Sequence, residues 1–201
     1  MEEFPPLVRR GRALARQVRF PLSREEAGFV GPSASLPGVG RFLAMLAAGC
    51  IGGRIGELGT GVGIGTAWIA SAMPADCTLI TAEIDQQLAS AARELLAEDA
   101  RVEVITGDAV SIMSSRGPFD LLFADGGVRD DAGHAALVSL LRIGGRIVVD
   151  DVTPERALPP DSPFRTNDPK RRFFFSNPGL VSTEVVLPDL QNSLLAGTRT
   201  T

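Results

Sequence analysis

The sequence predicts an α/β protein built on a doubly wound, mostly parallel seven-stranded sheet, with an antiparallel C-terminal strand and helices on both faces. Three observations carry this expectation. Apolar strands alternate with helical stretches from Arg54 onward, a glycine-rich turn joins the first of these strands to its helix, and two strands split by Pro188-Asp189 close the chain. Crossovers between parallel strands are right-handed, so the alternation puts helices on both faces.

Taken in order, Leu7 to Val18 reads as a helix leading into a turn-rich stretch, Pro21 to Pro37. A second helix follows, with Val39, Phe42, Leu43 and Leu46 at helical spacing. Arg54 to Leu58 is the first strand, and the helix after the glycine loop runs from Gly63 to Met73. Cys77 to Ala82 is the second strand. Asp85 to Glu98 is strongly helical, with Leu88, Ala92 and Leu95 on one face. Val102 to Thr106 and Phe119 to Ala124 are the third and fourth strands, with a short helix between them. Asp130 to Leu141 reads as a helix stopping at Gly144-Gly145, because glycine suits a helix C-terminus. Arg146 to Asp150 is nearly all apolar, as a strand covered on both faces should be. Val181 to Leu187 and Ser193 to Thr198 form the closing hairpin. Without a repeat or linker, residues 1–201 read as one domain, with 1–37 a helical, pocket-forming segment and 38–201 the catalytic core.

Composition narrows the function. The chain has 201 residues, 22% charged and 44% hydrophobic, with a net charge of −4. That balance is globular and argues against a general nucleic-acid footprint, which needs a basic face. The local exception is Arg9, Arg10, Arg12, Arg16 and Arg19, read as a solvated helix face or partner contact, or alternatively as a surface for RNA or an anionic substrate. Cys50 and Cys77 have no metal spacing and read as buried free thiols. No apolar run reaches the roughly 20 residues needed to cross a bilayer. The expected compartment is the cytoplasm.

The first strand runs into Glu57-Leu58-Gly59-Thr60-Gly61-Val62-Gly63-Ile64-Gly65-Thr66. Glycines let the backbone turn sharply and approach a ligand, and the following helix presents free amides. A glycine loop alone also fits a plain tight turn or the phosphate cradle of a nicotinamide dehydrogenase. Here, however, the glycines fall at every second position, not in G-x-G-x-x-G spacing, and Glu57 would repel a pyrophosphate while suiting a cationic amino group. The second strand ends Thr81-Ala82-Glu83-Ile84-Asp85, placing Glu83 where a carboxylate can accept ribose hydroxyls. The third ends Thr106-Gly107-Asp108-Ala109. Ligands of such sheets bind outside the strands' carboxyl ends, so Glu57, Glu83 and Asp108 are expected at one rim. Asp85 and Asp108 are also plausible helix N-caps.

With these motifs the sequence resembles the class I S-adenosylmethionine-dependent methyltransferases, from Leu36 to the C-terminus. Within them it looks most like the small O-methyltransferases related to catechol and caffeoyl-CoA O-methyltransferases. The matching stretches are Glu57 to Thr66, Thr81 to Asp85, Gly107 to Ala109, Phe123 to Gly127 and Gly144 to Asp151. The resemblance implies a Rossmann-like methyltransferase fold with S-adenosylmethionine as cofactor. It implies that the loop, through Gly59, Thr60, Gly61, Gly63, Gly65 and Thr66, holds the methionine moiety. It further implies that Glu83 binds the ribose, that Asp108 with Ala109 borders the adenine, and that Ile84 is among the cofactor-binding residues.

Strand four ends at Asp125 and strand five at Asp150-Asp151, and neighbouring parallel strands bring these carboxylates close. Asp125 and Asp150 are the catalytic candidates, with Asp125 also bordering the cofactor. Asp125, Asp150 and Asp151 are the candidate ligands of Mg²⁺ or another divalent cation. In the resembled enzymes a metal at such positions lowers the pKa of the attacking hydroxyl. Two residues depart from their pattern. Asp151 stands where they carry asparagine, and Val128 where they carry a lysine base, while the adjacent Arg129 stays protonated and is a poor base. Without a metal, the acidic pocket could serve an amine acceptor or use a carboxylate as base.

Thr153 to Pro178 and Phe20 to Pro37 are the expected pocket walls. Asp168-Pro169 opens a helix that bridges the fifth strand to the hairpin, and Phe173, Phe174 and Phe175 cannot all face one side of it. His134 reads as a helix-surface residue. The expected activity is O-methylation of a small molecule, without nucleic acid or membrane. The alternatives are metal-independent N-methylation and a catalytically silent S-adenosylmethionine-binding protein. A homodimer is one assembly that the arginines or the phenylalanine run would serve.

Overall fold

Side chains alternate across β4 (Phe119–Ala124): Leu122 and Ala124 join one buried cluster, Leu121 and Phe123 the other. A strand apolar on both faces needs cover on both, and the helices provide it. The computed structural model describes residues 4–28, 32–126, 128, 130–165, 167–187 and 192–201. Gly127, Arg129, Pro188 and Asp189, which the sequence reading invoked, lie outside the described residues.

In chain order the elements are α1 (Pro6–Gln17), α2 (Pro37–Ala48), β1 (Arg54–Leu58), α3 (Ile64–Ala72), β2 (Thr78–Glu83), α4 (Gln86–Leu96), β3 (Val102–Thr106), α5 (Ala109–Ser114), β4, α6 (Asp131–Ser139), β5 (Leu141–Val152), α7 (Pro169–Ser176), β6 (Leu180–Val186) and β7 (Ser193–Arg199). The seven strands lie in the order β3-β2-β1-β4-β5-β7-β6, and β7 runs antiparallel to both of its neighbours. The expected Rossmann-like sheet is therefore present, with one antiparallel strand. The chain reverses its direction of winding between β1 and β4, whose last paired residues are Leu58 and Ala124. A crevice opens at such a switch point. The helix α1 packs over α3 and α4, with Val8 and Ala15 buried beside Ala67 and Trp68.

One boundary differs from the sequence reading. The helix α6 ends at Ser139, and Gly144-Gly145 lies inside β5, not at a helix end. The pairing of β4 with β5 shifts register between Phe119 and Leu121, so the glycines serve an irregular strand. A side chain on Gly145 would stand 2.7 Å from the Phe119 carbonyl oxygen. Glycine signals a special backbone in both contexts, and only strand pairing separates them. Among the described residues no helix is long and apolar enough to cross a membrane.

Candidate active site

The loop after β1 turns through Gly59, Gly61 and Gly63, whose φ angles of 91°, 54° and 87° are left-handed. At Gly59 a Cβ would meet the Asp125 carbonyl oxygen at 2.4 Å, because β4 leaves the sheet alongside it. At Gly65, in the first turn of α3, a Cβ would lie 2.6 Å from Glu57 Oε1 and 2.9 Å from Ser35 Oγ.

Glu57 is fully buried beneath this loop. Its Oε2 accepts hydroxyl hydrogen bonds from Thr66 and Thr81, while its Oε1 has no hydrogen-bond partner. Burial pushes its carboxyl up to about 7, against the pull of the two hydroxyls. Glu83 ends β2 with both oxygens engaged. Gly61 N donates to Oε2 at 2.8 Å and Asp85 N to Oε1 at 2.9 Å. Each carboxylate oxygen still has capacity for a further donor.

These groups surround a hollow of about 470 Å³. Of the sequence-predicted residues, Gly59, Thr60, Gly61, Gly65, Glu83, Ile84, Asp125, Asp150 and Asp151 line it. Glu57, Gly63, Thr66, Asp108 and Ala109 are not among its lining residues. Asp108 is an exposed N-cap of α5, accepting from Ser111 N at 2.8 Å, and Asp85 caps α4 in the same way. The single acidic rim is thus divided: Glu83 faces the hollow, Glu57 lies under its floor, and Asp108 caps a helix. Phe20, Arg24 and Pro32 to Leu36 form the expected wall from the N-terminal segment. The reading missed Leu88, one turn into α4, and Asn192, which arrives only because β7 lies beside β5.

Asp150 is buried, accepting from Asp151 N at 2.7 Å and from Asn192 Nδ2 at 3.4 Å. Burial, then the charge of Asp151, pushes its carboxyl up to about 6. Burial, then Asp150 and Asp151, holds Asp125 well above the usual carboxylate range. Asp151 has a left-handed φ of 60°, and its side chain turns to Arg24 at 3.1 Å. Lys170 of α7 donates to the Asp150 carbonyl oxygen at 2.8 Å and to that of Asp151 at 3.3 Å. Among the described residues, no three acidic, histidine or cysteine side chains are disposed to hold a metal ion. With its third carboxylate paired to Arg24, this donor set does not fit the divalent cation considered from the sequence.

His134 corrects the sequence reading: it is 1% exposed, not on the helix surface. Its ring lies 5.4 Å from that of Phe173 and 6.1 Å from that of Phe174, and neither nitrogen has a hydrogen-bond partner. The helix α7 covers this side of α6, a packing that the periodicity of a short helix does not encode. Asp168 caps α7, Phe174 is buried and Phe175 is exposed, so the phenylalanine run divides as expected. Cys50 and Cys77 are buried free thiols.

A family model described as "Methyltransferase domain" matches residues 57–152. A Mycobacterium tuberculosis protein named "Probable O-methyltransferase" is 35% identical over 134 residues, 63% of this chain and 60% of its own length. A catechol O-methyltransferase of Niastella koreensis is 38% identical over 111 residues, 51% of this chain and 50% of its own. The chain thus spans between half and three-fifths of these relatives. The crystal structure of a Bacillus cereus O-methyltransferase in complex with S-adenosylhomocysteine superposes with a TM-score of 0.76 at 22% identity, covering 99% of this chain and 93% of that one. The domain match runs from Glu57 through β5, so the part of the chain that builds the glycine loop and strands β1 to β5 is similar in sequence to a methyltransferase domain.

Proposed function

We propose that the chain transfers a methyl group from S-adenosylmethionine to a hydroxyl of a small molecule. The observation that carries this reading is the glycine-floored hollow with Glu83 at its edge and Ile84, 77% exposed, beside it. Its volume lies within the roughly 300–1,000 Å³ of small-molecule sites. The spare lone pairs of Glu83 suit ribose hydroxyls, and Ile84 offers an apolar surface to a flat base. Ile84, rather than Asp108 and Ala109, is therefore our adenine contact. The glycine loop suits the methionine moiety, and Glu57 supports it from beneath through Thr66.

When bound, the cofactor supplies an electrophilic methyl group on a sulfonium. The residues here need to hold an acceptor oxygen in line with it and to take up a proton. Positioning carries much of such a rate. Asp150 and Asp125 have raised proton affinities, which suits general bases. As the carbon–oxygen bond forms and the carbon–sulfur bond breaks, the hydroxyl proton passes to this pair. No step is assigned to a metal, since the donor set does not fit one. The two buried free thiols support a reducing compartment, the cytoplasm.

Calorimetry tests the reading: S-adenosylhomocysteine should bind and NAD should not. A screen of phenolic and amine acceptors then separates O- from N-methylation, and turnover confined to amines would reject the hydroxyl acceptor.

A further inference from the structure

We propose that the cleft between the C-terminal half of α1 and the segment 19–26 is an anion site for a phosphate-bearing small molecule. Arg12, Arg16 and Arg19 line this cleft of about 450 Å³, together with Phe20 to Ser23 and Glu26. Phe20 is the one lining residue that this cleft shares with the hollow of the proposed methyl-transfer site. The helix α1 has four arginines and no acidic residue, in a chain whose net charge is −4. Among the described residues, none of the three cleft arginines forms an ion pair, although the Arg12 guanidinium lies 4.9 Å from the Phe4 ring centre. The one carboxylate of the cleft, Glu26, accepts from Leu22 N at 2.7 Å. Three cations against one tethered anion leave the cleft positive.

Arg19 adds an independent observation. Phe20 N donates to Ala15 O at 2.8 Å and Arg19 N to Arg16 O at 3.3 Å, the paired bonds of a glycine-type helix end. Arg19 occupies the position of that glycine, with φ at 56°. A side chain is strained there by about 1–2 kcal/mol, where glycine is not. An arginine here, in place of glycine, adds a third guanidinium to the lining of the cleft. Guanidinium forks match phosphate oxygens two at a time, and three of them suit a diphosphate better than a lone carboxylate. The cleft also has room for an organic portion.

Titration of pyrophosphate into the full chain at low salt tests this by calorimetry, with R16A and R19G as variants and S-adenosylhomocysteine as the control ligand. Pyrophosphate should bind the parent chain, and each variant should weaken it about tenfold. R19G should at the same time raise the unfolding temperature, because glycine relieves the left-handed backbone, so lost binding cannot come from lost folding. Control binding should be unchanged in both variants. Absence of pyrophosphate binding, or equal affinity in R19G, overturns the proposal. So does a single-stranded RNA that both variants weaken and pyrophosphate fails to displace, which would assign the cleft to nucleic acid.

Discussion

The Lys170 ammonium donates to the backbone carbonyl oxygen of Asp150 at 2.8 Å, tying α7 to the end of β5. The same group reaches the Asp151 carbonyl oxygen at 3.3 Å, and so braces a turn whose φ is left-handed. Replacing it with methionine leaves two carbonyls without their donor. Lys170→Met is expected to destabilise the fold by about 1–3 kcal/mol, read from urea unfolding. It should reduce turnover as well, by loosening the backbone that presents Asp150. An unchanged unfolding midpoint would remove the brace.

Glu57 gives the fold a pH dependence. Its carboxyl, 4.5 in an ordinary setting, is raised to about 7, so the folded chain binds its proton more tightly than the unfolded chain does. Stability contributed by this group is therefore lost as pH rises from about 4.5 to 7. Glu57→Gln should remove that slope and be more stable than the parent at pH 8, by about 1–3 kcal/mol, with little difference at pH 4. Urea unfolding at both values checks the sign.

Glu83 holds two backbone amides and still has lone pairs for a ligand. Glu83→Gln replaces one acceptor with a donor, and should weaken S-adenosylhomocysteine binding by about 1–3 kcal/mol in calorimetry. Equal affinity would take Glu83 out of the ribose role.

Gly59 and Gly126 separate crowding from backbone strain. Both have positive φ, yet a Cβ at Gly59 meets the Asp125 carbonyl oxygen at 2.4 Å while one at Gly126 meets nothing within 4 Å. Gly59→Ala is expected to cost more than about 3 kcal/mol and to abolish cofactor binding, and Gly126→Ala only about 1–2 kcal/mol. Similar losses in the two variants would refute the close approach of the loop to β4.

Asp150 is the residue on which the proposed proton transfer depends. With its carboxyl at about 6, turnover should rise as pH increases through that value, since the base must be unprotonated. Asp150→Asn should lower turnover by about 10²–10⁴-fold while leaving cofactor affinity within a few-fold. A chelator should leave the parent rate unchanged. Chelator-sensitive turnover restored by Mg²⁺ would return the metal to the mechanism.

Much of this molecule follows from short-range rules acting within a few residues. Periodicity specifies β1 to β4 and α4, and Asp85, Asp108 and Asp168 cap helices because a carboxylate there can reach free amides. Glycine at every second position allows the left-handed backbone of the loop after β1. What lies across the sheet was decided by tertiary structure. The carboxylate of Glu57 is under the floor because Thr66 and Thr81 meet it there, from α3 and β2. His134 is inside because α7 folds over α6, and Asn192 joins the hollow because β7 inserts between β5 and β6. Gly144-Gly145 lies within a strand because Leu141 pairs with Phe119. Propensities and caps sum over neighbouring residues, whereas helix rotation, register and side-chain direction depend on contacts between segments far apart in sequence.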